Sequence, residues 1–239
     1  MIKVNNFKID IYLDGASMSD FRKYKNNRLI KGFTTNPSLM RKAGIEDYEK
    51  FCKQSLRIIK RKPISFEIFA DEIDQIEIQA EKIAKWGKNV FVKIPVINTK
   101  NKLNTNLIGK LNRDGVKINV TAVFTLQQTK SILKKIGKKT PLIISVFLGR
   151  IADAGIDPSK EISKHIKIIK KYPNVKILWA SVRQSFNLIE AERSKCDIIT
   201  VPSEILKKLN LFNKNLNSYS IETVKMFYKD AKKSKYKIA

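Results

Sequence analysis

At 239 residues, 43% of them hydrophobic, the chain has the length for one sizeable core and the composition of an ordinary globular protein. No apolar stretch nears the roughly 20 residues of a membrane span and Met1–Asp14 lacks signal-peptide architecture, so no membrane partner and a cytoplasmic location are expected. Two cysteines, Cys52 and Cys196, show no disulfide or zinc spacing, and the lone His165 sets aside His triads and multi-His metal sites; no metal is expected.

Short β-forming runs alternate with amphipathic stretches along the chain. The expected strands begin with Lys8–Leu13, Gly32–Thr34 and Ile64–Phe69. A helix follows over Asp71–Lys85, where Ile73, Ile76, Ala80 and Ile83 recur at helical spacing. Strand Val90–Ile94, stopped by Pro95, precedes strand Ile118–Ala122 and a helix over Leu126–Ile136. Strand Leu142–Phe147 leads to a helix over Pro158–Tyr172 with Ile162, Ile166 and Ile169 in register. Strands Lys176–Ala180 and Ile198–Val201 come next, and a tail from about residue 210 carries a helix over Ile221–Lys235. Ser38, Asp71, Thr125, Ser185 and Ser203 stand at or near helix starts as N-cap candidates. Eight such units predict an α/β fold, a single (β/α)8 barrel over residues 1–239 with an extra C-terminal helix. A doubly wound sheet is the alternative, but no glycine-rich dinucleotide loop follows any strand.

The formal charge of +26 raises a nucleic-acid reading. Lysine far outnumbers arginine, however, and is scattered along the whole chain. No basic block is interleaved with aromatics, and no helix-turn-helix, RRM or OB signature is present. The expectation is a solvated basic surface and no nucleic-acid partner.

In a barrel of this kind, chemistry sits at the C-terminal strand ends. Lys93 is the informative residue there, at the tip of Val90-Phe91-Val92-Lys93-Ile94. A lysine in an apolar strand end loses hydration, which favours the neutral, nucleophilic amine. Asp14 ends the first strand, and the second runs into Thr34-Thr35-Asn36-Pro37. Glu67 lies on the third strand, Asn119 and Thr121 on the fifth, and Ser145 and Phe147 on the sixth with Arg150 beyond. Ser181 and Arg183 follow the seventh. Period-two alternation turns Ser65 and Glu67, Asn119 and Thr121, and Ser145 and Phe147 into the barrel mouth. An amine among carboxylates suits Schiff-base chemistry on a carbonyl compound; arginines with a serine suit an oxyanion.

These segments resemble the transaldolase family of class I aldolases. The resemblance is carried by Leu13-Asp14, Gly32-Phe33-Thr34-Thr35-Asn36-Pro37-Ser38-Leu39, Val92-Lys93-Ile94-Pro95 and Ile118-Asn119-Val120-Thr121-Ala122. It continues through Ile144-Ser145-Val146-Phe147-Leu148-Gly149-Arg150-Ile151 and Ala180-Ser181-Val182-Arg183. The resemblance implies that Lys93 forms the Schiff base and Asp14 is the acid/base at the hydroxyl beside the cleaved C–C bond. Glu67 and Thr121 would position the water of imine formation and hydrolysis. Asn36, Asn119 and Ser145 would hold the dihydroxyacetone hydroxyls, and Arg150, Ser181 and Arg183 the sugar phosphate. It also implies cofactor-free transferase chemistry in carbohydrate metabolism, on sugar phosphates of the pentose phosphate pathway. A homo-oligomer is expected.

Family members that mainly cleave tend to carry Gln where Glu67 stands and Tyr where Phe147 stands, so both residues match the transferring type. Gly15, where the family commonly has Thr, and a glycine-free loop at Pro95–Asn101 depart from the pattern and bear on the choice of sugars. The alternatives are fructose-6-phosphate aldolase-type cleavage, the same transfer on a non-standard anionic sugar, and, from another class, a basic nucleic-acid-binding module on a vestigial barrel.

Overall fold

The computed structural model describes residues 6–234. Eight parallel strands close into a barrel in sequence order. They are β1 Asp10–Asp14, β2 Ile30–Thr34, β3 Ile64–Glu67, β4 Val90–Pro95, β5 Ile118–Val123, β6 Leu142–Val146, β7 Val175–Trp179 and β8 Ile198–Pro202. The helices between them are α1 Met18–Tyr24, α2 Pro37–Lys42, α3 Tyr48–Ile58, α4 Ile73–Ala84, α5 Thr105–Arg113 and α6 Leu126–Leu133. They continue with α7 Leu148–Asp153, α8 Pro158–Ile169, α9 Asn187–Arg193, α10 Ser203–Lys207 and α11 Leu216–Ser234. None of the described helices is long and apolar enough to cross a membrane.

Strand alternation builds two cores. Outward residues such as Leu13, Phe33, Phe66, Val92, Val120, Ile144 and Trp179 pack under the helices in the larger one. Inside the barrel, Tyr12, Ile143, Leu178, Ala180 and Ile198 pack together, with Phe91 and Phe147 against them. Gly32 makes room there: a Cβ on it would lie 2.5 Å from the Tyr12 ring. This inner plug fills the barrel, so a substrate can enter only at the strand ends.

Several sequence expectations are corrected at element edges. The first strand starts at Asp10 rather than Lys8, because the Glu192 carboxylate takes the backbone N–H groups of Lys8 and Ile9. The third stops at Glu67 because the N–H groups of Phe69 and Ala70 donate to Gln79 Oε1 instead of a ladder. The sixth stops at Val146, leaving Phe147 as the residue before α7.

The helix expected to run to Ile136 ends at Leu133, and the one expected to run to Tyr172 ends at Ile169. The last helix begins five residues early, at Leu216, and Lys235, its expected end, lies outside the described residues. Thr125 caps α6 in a reciprocal box with Gln128. Ser38 is no cap; Asn36 is, ahead of Pro37. Asp71 instead accepts from the N–H and hydroxyl of Thr99, pinning the β3–α4 loop to the β4–α5 loop. Ser203 is the first helical residue of α10, and Ser185 lies two residues ahead of α9.

Candidate active site

Register assembles the site. Glu67 on β3 pairs with Lys93 on β4, which pairs with Asn119 on β5, so three inward side chains stand at one level. Lys93 is 7% exposed; its Nζ lies 3.0 Å from Glu67 Oε2 and donates to the Thr35 carbonyl at 3.0 Å. The amine is thus held between a carboxylate and a backbone oxygen, not solitary in an apolar strand end. The Glu67 backbone is fixed in turn by the Tyr48 hydroxyl, which donates to its carbonyl at 2.6 Å.

Asp14 stands level with Thr34 across β1–β2. Thr34 Oγ1 donates to Asp14 Oδ1 at 2.8 Å. A hydroxyl carries one proton, so in the contact between Thr34 and Thr200 the donor is Thr200. Burial pushes the Asp14 carboxyl up from its ordinary value, against the opposing pull of the Lys93 charge and the Thr34 bond; Glu67 and Glu204 push with it. A carboxyl held this way suits proton transfer better than a solvated one.

Beside the lysine a polar belt crosses the barrel. Ser145 Oγ donates to Asn119 Oδ1 at 2.6 Å, and Asn119 Nδ2 donates to Ser65 Oγ at 3.0 Å. Thr121 is buried, and its hydroxyl has no protein hydrogen-bond partner. The register of β5 against β6 shifts between Val120 and Val123, and Ala122 sits in the left-handed region at φ 54°. A bulge beside a site residue is a common way of aiming a side chain.

The remaining expected residues lie around the rim. Asn36 spends its carbonyl oxygen on Leu39 N–H as the cap of α2. The Phe147 ring, half-buried against the inner core, lies under the Arg150 guanidinium at 5.6 Å and beside Phe124 at 5.7 Å. Arg183 is engaged by Asp153, its Nε at 3.0 Å and Nη2 at 2.6 Å from the same carboxylate oxygen. Gly149 docks the start of α7 on the end of β7: a Cβ there would fall 1.6 Å from the Ser181 carbonyl oxygen. Ser181 itself is left-handed, at φ 64°. Among the described residues neither arginine hydrogen bonds or ion pairs with Lys93, Glu67 or Asp14.

Sequence reasoning passed over Thr200, Tyr48 and the hydrogen bond from Thr34 to the Asp14 carboxylate. Alternation with Ile198 on β8 marks Thr200 as inward; Tyr48, on a helix, gives no such signal.

The profile of the family described as Transaldolase/Fructose-6-phosphate aldolase matches residues 11–238. The chain is similar to a "probable transaldolase" of Dehalococcoides mccartyi, 33% identical over 200 residues that cover 83% of this chain and 89% of that one. It is also similar to a "probable transaldolase 2" of Listeria monocytogenes, 34% identical over 199 residues covering 83% and 87%. Among solved structures, thiamine phosphate pyrophosphorylase from Pyrococcus furiosus superposes with a TM-score of 0.55 at 11% identity, over 82% of this chain and 86% of that one; it shares the fold alone.

Proposed function

We propose that this chain, which belongs to the transaldolase/fructose-6-phosphate aldolase family and is thereby an enzyme of the aldolase/transaldolase type, is a transaldolase working through a Schiff base on Lys93. The observation that carries the reading is the buried Lys93 amine beside Glu67, with Asp14 on the same mouth.

The steps follow from these groups. The Lys93 amine, its proton passed to Glu67, adds to the C2 carbonyl of a ketose phosphate such as fructose 6-phosphate or sedoheptulose 7-phosphate, and the carbinolamine loses water to give an iminium ion. Glu67, 3.0 Å from Nζ, takes up and returns the protons of addition and dehydration. The unpartnered Thr121 hydroxyl offers a hydrogen bond to the water involved.

The Asp14 carboxylate then takes the C4 hydroxyl proton as the C3–C4 bond breaks. The electron pair of that bond flows into the iminium, leaving an enamine and a free aldose phosphate. The enamine attacks the carbonyl of an incoming aldose phosphate, Asp14 returns the proton, and hydrolysis of the new iminium restores Lys93. The Ser145–Asn119–Ser65 belt, with Asn36, would hold the dihydroxyacetone hydroxyls. Arg150, Ser181 and Arg183 would receive the phosphate.

Phe147 supplies no proton donor near the enamine, which favours transfer over release of free dihydroxyacetone. The test is borohydride trapping with fructose 6-phosphate, followed by peptide mapping. The expected result is a stable adduct on Lys93 and none in Lys93→Met; an adduct elsewhere, or normal turnover by Lys93→Met, overturns the mechanism. Release of dihydroxyacetone as fast as transfer, with an acceptor present, would move the activity to aldol cleavage.

A further inference from the structure

The lysines that look scattered in sequence converge in space. In this barrel seven turns lead from a helix back to the next strand, and all lie at the end opposite the active site. Every one carries exposed or half-exposed basic side chains. The α1–β2 turn has Lys25 and Arg28, and the α3–β3 turn has Lys60, Arg61 and Lys62. The α6–β6 turn has Lys134, Lys135, Lys138 and Lys139. The other four are no different: Lys85 and Lys88, Lys117, Lys170 and Lys171, and Lys195. Only two carboxylates, Asp114 and Asp197, stand in these turns, and Asp197 is occupied by the Ile177 N–H.

Neutralisation does not explain the pattern. Among the described residues, the ion pairs lie on helix flanks, at the strand ends or at Lys176–Asp10, and none engages a basic residue of these turns. The helix dipole accounts for basic residues in last turns, such as Arg57, Lys110 and Lys130. Its effect fades beyond the last turn, so it leaves Lys60, Arg61, Lys138 and Lys139 unexplained. The strand-to-helix loops, by contrast, carry Lys100, Lys102 and Arg183 against Asp71 and Glu72.

Against the expectation drawn from the scatter of lysines along the sequence, we propose that this basic end is a docking surface for the phosphate backbone of a nucleic acid, bound without sequence preference. The exposed large apolar side chains, among them Phe69, Leu103, Phe186 and Phe227, all fall outside these turns. A peripheral membrane contact draws on apolar insertion as well as charge, whereas a phosphate backbone is held by cations and counterion release alone. Because the surface lies opposite the strand ends, docking would leave the barrel mouth open. The proposal is independent of the activity assigned above.

The experiment measures fluorescence anisotropy of a labelled single-stranded RNA and its duplex against the intact protein across a salt series. Binding that weakens roughly 10³-fold between about 50 and 200 mM salt is expected, the response of a protein contacting several phosphates. The variant Lys60→Glu, Arg61→Glu, Lys138→Glu, Lys139→Glu should bind at least tenfold more weakly with a shallower salt slope, and still trap fructose 6-phosphate on Lys93. A charge-matched control, Arg41→Glu, Lys42→Glu, Lys100→Glu, Lys102→Glu, alters the opposite end and should bind as wild type. Equal losses in the two variants would reduce the effect to net charge and overturn the proposal. So would absence of binding at about 50 mM salt, or tighter binding to phosphatidylglycerol vesicles than to RNA.

Discussion

Asp14 is where a single hydrogen bond should be visible in kinetics. Its carboxyl is raised by burial and held down by Lys93 and by the Thr34 hydroxyl. The base form is lost as pH falls through this raised value, so the acid limb of kcat/KM for cleavage should lie above the usual carboxylate range. Thr34→Val removes a donor to the charged form, so the limb should move to higher pH, with kcat falling about tenfold or more, the scale of a hydrogen bond to a charge. Thr34→Ser should restore both. An unmoved limb in Thr34→Val would detach Asp14 from the proton step. The rim arginines differ in kind: Arg150 lies on the Phe147 ring and Arg183 is engaged by Asp153. Replacing either by Ala should weaken phosphorylated substrates by about 1.5–3 kcal/mol and leave glyceraldehyde as acceptor nearly unaffected. Equal losses on both acceptors would place phosphate recognition elsewhere.

Among the elements, α8 carries the clearest pH response. His165 is buried on it, bonded through Nδ1 to the Thr129 hydroxyl of α6 at 2.8 Å, with Glu161 Oε1 3.7 Å from Nε2 and Lys164 adjacent in the chain. Burial lowers its affinity for a proton. Above the unfolded value of about 6.5 both states are neutral and the group contributes nothing. As pH falls below that, the unfolded chain takes a proton that the folded one refuses, so stability drops. The urea midpoint should therefore fall between pH 7.5 and 5.5, and less so in His165→Asn; equal falls in both would assign the response to other groups. The same helix shows how well elements could be read. Its isoleucine spacing is plain in sequence, whereas the edges of β1 and β3 are set by side chains from outside the strands. Glu192 and Gln79 take N–H groups that local pattern alone would give to a ladder. Asn36, expected from the family resemblance to hold substrate, caps α2 ahead of Pro37, which fixes the first helical turn.

On the scale of the molecule, α11 is the part that the barrel does not use. No residue of it is buried, and Leu216, Val224, Met226, Phe227 and Tyr228 are exposed along it. Apolar surface of that extent in water marks an interaction site. We expect a second copy of the chain to cover it, in keeping with the homo-oligomer anticipated from the sequence. Ending the chain at Phe212 should lower the mass measured by light scattering to that of one chain. A monomeric full-length protein would refute this.

The amino-acid sequence by itself determined the barrel and the inward set at its mouth. Period-two strands, helical spacing between them and polar residues at successive strand ends are local patterns, and parallel closure leaves them one arrangement. Tertiary structure alone decided which groups meet. It set Glu67 against Lys93 through register, ran Thr200 through Thr34 to Asp14 across three strands, and engaged Arg183 with Asp153. It also gathered lysines spaced along the whole chain onto one end. Each of these brings together residues far apart in sequence through strand register, helix docking and chain closure, and no local pattern encodes a distance of that kind.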